Sequence, residues 1–457
     1  MDYQQALSYL SELTKFGINL GLGRIEELLR RLGQPQRRLA IAHIGGTNGK
    51  GSTGALLARM LQQAGYSVGL FTSPHLHAYT ERFRINGREI PADKLAALLT
   101  LMRPHLDQMV AAGYEQPTEF EVSTALAFLY FQREQVDLLV LEVGLGGALD
   151  STNVVQPLAT VLTNVSLDHQ AYLGDSVAAI AKVKCGIIKP GTPVVTAATG
   201  EALAIIAAVC AQKKAPLIIC HAASDPEAAL AALPATNGSV RELTWRRLVS
   251  EPTGHRFTVT GVTGVYEDLW LPLLGEHQLA NATLALATAE VLTQRGFKLN
   301  PAELRQGLAA TRWPGRLELI AGNVPVLLDG AHNHAGAQSL RRSLRLHFPR
   351  KKLILVLGIL ADKDQEKIVA ELTPSASLVI ITRPDHPRAG DWRDLGELAV
   401  KYAAQVYLKE KVTEALTAAF AAAGPSDLIC VTGSLYLVAE AREILLGNTF
   451  KLVMDGR

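Results

Sequence analysis

The stretch Leu39-Ala40-Ile41-Ala42-His43-Ile44-Gly45-Gly46-Thr47-Asn48-Gly49-Lys50-Gly51-Ser52-Thr53 decides how this chain is read. An apolar run of strand length enters a glycine loop, and the helix-like Ala55-Leu56-Leu57-Ala58-Arg59-Met60-Leu61 leaves it. Strand, glycine loop and helix in that order form a phosphate cradle. Glycines let backbone N–H groups turn inward, the helix N-terminus adds positive dipole, and Lys50 supplies a full charge. Gly46, Thr47, Asn48, Gly49, Lys50, Gly51 and Ser52 are therefore expected to hold a nucleoside triphosphate. The usual phosphate loop places Ser or Thr directly after the lysine, whereas here Gly51 intervenes and delays the hydroxyl to Ser52 or Thr53. A plain strand-to-helix turn would seldom carry a lysine at that place.

Outward from the loop, strand-length apolar runs (Ser67 to Phe71, Asp137 to Val143, Leu158 to Asn164, Thr192 to Thr196, Pro216 to Cys220) alternate with helical periods at Ala92 to Val110 and Phe120 to Arg133. Alternation of this kind predicts a parallel sheet covered by helices. Val240 to Val249, His255 to Val262 and Val265 to Leu274 read as a small antiparallel sheet, and a helix near Asn281 to Gln294 closes the first domain. Alternation resumes at Val324 to Leu328, Lys352 to Leu357, Ser377 to Ile381 and Asp427 to Val431. The expected architecture is α/β: a phosphate-loop domain over residues 1–297 with a small antiparallel subdomain, then a smaller Rossmann-like domain over 298–457.

Length and composition fit this picture. The chain has 457 residues, 48% of them hydrophobic, enough for two sizeable cores. A net charge of +2 from 45 basic and 43 acidic residues gives no overall attraction to nucleic acid or membrane. The cluster Arg24, Arg30, Arg31, Arg37 and Arg38 reads as a solvated helix face. The 4 cysteines lie in apolar segments without metal-type spacing and read as buried thiols of a reducing compartment. With no signal peptide and no membrane-length apolar run, a cytoplasmic location is expected, and a monomer.

Ligands of open parallel sheets gather at the carboxyl ends of strands. Glu142 ends an apolar strand beside Gly144-Leu145-Gly146-Gly147, Thr72-Ser73-Pro74-His75 follows another, and Thr163-Asn164 through Asp168-His169 follows a third. Carboxylate, hydroxyl and imidazole groups there predict a magnesium site at the phosphates, centred on Glu142. The turn at 144–147 is not a dinucleotide fingerprint, because position 149 is Leu149 rather than glycine.

Taken together the motifs resemble the Mur ligase superfamily, and within it the folylpolyglutamate synthase/dihydrofolate synthase branch. The resemblance runs through Gly46-Thr47-Asn48-Gly49-Lys50-Gly51-Ser52, Thr72 to Leu76, Glu142 to Gly147, Leu149 to Asn153, Leu167-Asp168-His169, Lys184 to Lys189, His277 to Ala282, Trp313-Pro314-Gly315-Arg316, Asp329 to Asn333 and Thr432-Gly433-Ser434. It implies that ATP phosphorylates a carboxylate and that the amine of L-glutamate attacks the acyl phosphate. It also implies Ser73, Glu142 and His169 as magnesium ligands with Ser52 nearby, and Lys184 as a carbamylated lysine serving as an oxygen ligand. Asn281, Arg316 and Asp329 would contact ATP, and His332 and Ser434 the incoming glutamate. Tyr79, within the loop from His77 to Gly87, together with Thr118 and Asp150, would lie on the side of the folate or dihydropteroate acceptor. Closure of the second domain over the first would exclude water. Ala148 departs from the pattern, where many relatives carry arginine, as do Val183 and Cys185. Peptidoglycan-type and cyanophycin-type ligases are the alternative within the superfamily.

Overall fold

In the computed structural model, residues 1–224 and 240–447 are described. The last ten residues of the second expected domain, 448–457, lie outside them. Two compact units form: Met1–Leu248 with Arg256–Trp270 and Leu279–Thr311, and Val249–His255 with Leu271–Gln278 and the chain from Arg312 onward.

The first unit is built on an eleven-stranded sheet. Its strands in chain order are β1 (Ile41–Gly45), β2 (Val68–Phe71), β3 (Phe83–Ile85), β4 (Arg88–Glu89), β5 (Leu138–Glu142), β6 (Ala159–Leu162), β7 (Val194–Thr196), β8 (Leu217–Ala222), β9 (Val240–Glu251), β10 (Gly254–Thr260) and β11 (Val265–Leu271). Their order across the sheet is β11-β10-β9-β8-β7-β6-β1-β5-β2-β3-β4. Strands β1, β2, β5, β6 and β7 are buried along their whole length, as parallel strands covered on both faces must be. The segments expected as a small antiparallel sheet extend the main one. Residues Leu217 to Ala222 of β8 pair in parallel with Val240 to Trp245 of β9, which brings β9, β10 and β11 to the sheet's edge. The loop expected from His77 to Gly87 contains β3, which runs antiparallel to β2.

Helices are set by local chemistry. Helix Glu119–Arg133 starts at a reciprocal cap, in which Thr118 Oγ1 accepts from Glu121 N while Glu121 Oε2 accepts from Thr118 N. Phe71, Phe83, Phe128 and Phe131 fill the core between these helices and the sheet. Helix Pro301–Ala310, assigned by sequence to the second domain, belongs to the first unit, because it lies against helix Lys50–Gln63.

The second unit carries a six-stranded sheet: β12 (Glu318–Ile320), β13 (Val326–Asp329), β14 (Leu353–Leu357), β15 (Leu378–Ile381), β16 (Val406–Leu408) and β17 (Leu428–Thr432), in the order β12-β13-β17-β14-β15-β16. All pairs are parallel except β12 with β13. The four cysteines are buried and unbridged. Among the described residues no helix is long and apolar enough to cross a membrane.

The contact between helices Pro301–Ala310 and Lys50–Gln63 is tight enough to test. A Cβ on Gly307 would sit 2.4 Å from Met60 Cα and 2.8 Å from Met60 N, backbone atoms that cannot rotate away. Alanine is the better helix former by about 1 kcal/mol, but overpacking costs about 1–3 kcal/mol. Gly307→Ala is therefore expected to lower the urea unfolding midpoint, whereas a rise would show that the helices separate freely.

Candidate active site

The candidate site forms where the sheet's connections reverse. Chain from β1 to β2 passes over β5, and chain from β5 to β6 passes over β1. In register, Ile44 stands beside Glu142 and Gly45 beside Leu162, so all three strands end at one level. Such a reversal opens a crevice at the carboxyl ends of the strands.

The phosphate loop fills that crevice in a prepared shape. Gly46 has φ 135°, and a Cβ there would lie 1.9 Å from Thr163 Oγ1. Gly49 has φ 84°, and a Cβ there would lie 2.4 Å from Asn281 Oδ1, which puts Asn281 of helix His277–Gln294 against the loop. Neither position admits a side chain. Thr47 N donates to Asn164 O (2.8 Å) and Asn48 N to Asn164 Oδ1 (3.0 Å). Thr163 Oγ1 (2.7 Å) and Asn164 Nδ2 (3.0 Å) both donate to Asn48 O. Lys50 Nζ donates to Thr47 O at 3.1 Å, while Gly51 and the buried Ser52 stand in the first helical turn.

Around this loop lie the groups expected at the metal. Glu142, the last residue of β5, is 7% exposed, and its Oε2 accepts from Ser73 N at 3.3 Å. Lys184 ends helix Val177–Lys184, is 4% exposed, and donates from Nζ to Gly46 O at 2.9 Å. Burial, followed by the charge of Lys50, pushes its ammonium down to about 7 against the pull of Asp168 and Asp150. His169 takes a left-handed conformation (φ 51°), its N donates to Asp168 Oδ1 at 2.9 Å, and its ring Nε2 lies 3.9 Å from the same oxygen. Among the described residues no three His, Cys, Asp or Glu side chains form a metal-binding group. The expected set supplies only Glu142 and His169 of those types, its other members being Ser52, Ser73 and Lys184.

On the expected acceptor side the polar groups are already engaged. The Tyr79 hydroxyl donates to Glu119, Arg82 Nη1 donates to the same carboxylate at 2.9 Å, and the Arg82 guanidinium lies 4.5 Å above the Tyr79 ring. Arg82 Nε also donates to His75 Nδ1 at 3.0 Å. Thr118 is the cap of its helix. Asp150 is buried: Oδ2 accepts from Leu145 N at 2.7 Å and Oδ1 from Thr152 N at 3.0 Å. Burial raises its carboxyl above the usual aspartate range.

Residues expected from the second domain share the end of its sheet at which β13 and β17 finish. Asp329 ends β13 beside Thr432 of β17, and accepts from Leu317 N and Ala331 N, each at 3.0 Å. Burial raises its carboxyl, and Arg316 pulls it back. Arg316 lies along the Gly330 backbone, where a Cβ would be 2.7 Å from Nη1. His332 Nδ1 is 2.8 Å from the Gly330 carbonyl, so Nδ1 carries the proton. Ser434 caps helix Leu435–Leu446 by accepting from Leu437 N at 3.1 Å. Sequence reasoning passed over His43, inside β1, and Thr152, which it hydrogen-bonds at 2.9 Å. A lone histidine in an otherwise apolar strand was the available signal.

A glycine cradle at a switch point, flanked by a buried carboxylate and a buried lysine, defines a phosphate-loop nucleotide-binding α/β protein. Comparison with known proteins narrows this. The Mur ligase middle domain matches residues 44–289, and the Mur ligase glutamate ligase domain matches 315–435. The dihydrofolate synthase/folylpolyglutamate synthase of Bacillus subtilis is 38% identical, covering 97% of this chain and 99% of its own. The folylpolyglutamate synthase of Lacticaseibacillus casei is also 38% identical, covering 98% and 100%. The Mycobacterium tuberculosis folylpolyglutamate synthase structure, complexed with ADP and AMPPCP, superimposes with a TM-score of 0.87 at 32% identity, over 98% of this chain and 100% of that one. The chain belongs to the Mur ligase family, in its folylpolyglutamate synthase/dihydrofolate synthase branch.

Acid should loosen this site. Burial, with the charge of Lys189, holds His43 down to about 3, so the folded protein refuses a proton that the unfolded chain takes up near pH 6.5. Stability is then complete above about pH 6.5 and falls as pH drops towards 3, by up to about 1.4 kcal/mol per pH unit for this group. Urea midpoints at pH 7 and pH 5 check this, and His43→Leu should flatten the difference.

Proposed function

We propose that the chain joins L-glutamate to the carboxylate of a folate-type acceptor at the expense of ATP, through an acyl phosphate. The observation that carries this reading is the phosphate loop held in shape beside the buried Glu142 and Lys184. The names of relatives aligned over nearly the whole chain supply the substrates. A carboxylate is a poor electrophile. Transfer of the terminal phosphoryl group gives it a leaving group, and the charge that develops must be met by cations and N–H donors already in place. Lys50 and the loop amides meet it here. Asn281 would steady the nucleotide from the first unit, with Arg316 and Asp329 acting on it from the second. His332 and Ser434 would serve the incoming glutamate, whose amine attacks the acyl phosphate to form the amide.

Magnesium fits the residues present. Glu142, Ser73, His169 and Ser52 offer the oxygen and imidazole donors that would hold it, and when bound it would neutralise phosphate charge. An ammonium at Lys184 would repel that ion, whereas a neutral amine can add carbon dioxide, form the N–C bond and release one N–H proton to solvent, becoming an anionic carbamate oxygen ligand. Its ammonium, pushed down to about 7, leaves a substantial neutral fraction at physiological pH. The acceptor would lie by Tyr79, Thr118 and Asp150, whose own hydrogen bonds give that side a fixed shape. Activity on both dihydropteroate and reduced folates is part of this proposal, since both present a carboxylate to one phosphoryl donor.

The deciding experiment supplies purified protein with ATP, magnesium, glutamate and each acceptor in turn, and follows phosphate release and amide product. Turnover with dihydropteroate and with a reduced folate is expected. Product with the reduced folate alone would leave a polyglutamate synthase, and product with neither would return the chain to another Mur-type ligation. In the same assay Lys50→Ala and Glu142→Ala should each lose about 100-fold or more. Retention within about tenfold, roughly 1.4 kcal/mol of barrier, would remove them from the chemistry.

Lys184 has its own readout. With 13C-labelled bicarbonate, a carbamate resonance is expected in the wild-type protein and absent from Lys184→Ala. An active, magnesium-loaded protein with an unmodified Lys184 would contradict the carbamate.

A further inference from the structure

A chain of hydrogen bonds runs from the core of β1 to the helix that carries Lys184. His43 is fully buried, and its Nε2 lies 2.9 Å from Thr152 Oγ1. The Thr152 hydroxyl donates its one proton to Asp150 Oδ1. A hydroxyl that has given its proton to a carboxylate can only accept from the imidazole, so His43 carries its proton on Nε2. Nδ1 then holds a lone pair, buried and without a hydrogen-bond partner. Leucine at this place would leave no such orphan, so packing alone does not account for a histidine here.

The chain continues through the other oxygen of Asp150, which fixes Leu145 N. Leu145 opens the turn Leu145–Ala148, and this turn lies on the end of helix Val177–Lys184. Ala148 N donates to Val183 O at 3.0 Å, and a Cβ on Gly147 would come within 2.8 Å of Lys184 O. Asn153 Nδ2 ties Ala148 O (2.9 Å) to Gly186 O (3.3 Å) on the far side of Lys184.

We propose that His43 and Thr152 are positioning residues for Lys184: by fixing Asp150 they seat the Leu145–Ala148 turn on the helix end and so hold the Lys184 amine at the Gly46 carbonyl. Asp150 is in this arrangement the link between a strand and a helix. The consequence for catalysis rests on the ligase reading of Lys184, but the placement does not, and it can be read without nucleotide, metal or acceptor.

The experiment is amine labelling with acetic anhydride of the metal-free, nucleotide-free protein at one pH, quantified by mass spectrometry as the ratio of Lys184 to Lys182. Lys182 is exposed on the same helix and serves as the internal reference. His43→Leu and Thr152→Val should raise the ratio by about threefold or more, as the seat of the helix end opens. His43→Gln and Thr152→Ser keep a donor and a hydroxyl, and should stay near wild type. Leu99→Ala, in a core cluster that does not include the helix, controls for general loosening. An unchanged ratio in folded His43→Leu and Thr152→Val overturns the proposal, as does an equal rise in Leu99→Ala. Should His43→Leu fail to fold, the Thr152→Val and Thr152→Ser pair decides alone. Loss of ligase activity with an unchanged ratio would overturn the positioning role and leave the ligase reading standing.

Discussion

Between Gly45 and Lys50 the phosphate loop has no regular secondary structure, and its shape depends on the residues that leave β6. A loop meant to turn its amides towards phosphate cannot spend them on itself. Its carbonyls and outer amides must therefore be tied down by something outside it. Asn164 does this from both ends of its amide group, with Oδ1 on Asn48 N and Nδ2 on Asn48 O, while its backbone carbonyl takes Thr47 N. Thr163 and Asn281 then close the two faces that Gly46 and Gly49 leave bare. The placement of Lys50, which donates to Thr47 O, and of Lys184, which donates to Gly46 O, presupposes this cradle.

Electrostatics adds a second constraint. Lys184 is almost wholly buried and lies near the charge of Lys50, so burial first and that charge second make its ammonium harder to hold. Two carboxylates, Asp168 and Asp150, offset this only in part. The second unit shows the converse, with Asp329 held among backbone amides and Arg316.

Much of this was legible in the sequence, for identifiable reasons. Buried parallel strands are continuous apolar runs, so β1, β5, β6 and β14 declare themselves. Glycines beside a lysine mark a cradle wherever they stand. The rest turns on partners that periodicity does not encode. β12 and β16 are three-residue strands at the sheet edges, only partly buried or exposed, and carry almost no pattern. Strand character was evident in β9 to β11, but which strand β9 would join was not. Thr118 with Glu121 reads as a helix start as readily as a substrate contact, and the structure shows the cap. In sequence His43 is one polar residue in an apolar strand, and its meaning lies in Thr152, more than a hundred residues away.

The chain's connectivity carries a consequence for its synthesis. The first unit is assembled from three separated stretches, the last running from Leu279 to Thr311. Asn281 and Gly307, which close on the loop and on its helix, both belong to that last stretch. A ribosome delivering the chain from its N-terminus therefore exposes the phosphate loop and its apolar helix long before their covering residues exist. The interval is filled by every strand of the first sheet from β2 to β11. Folding here is non-local and cannot finish stepwise, so the nascent chain must hold an open hydrophobic face until residue 311 has emerged.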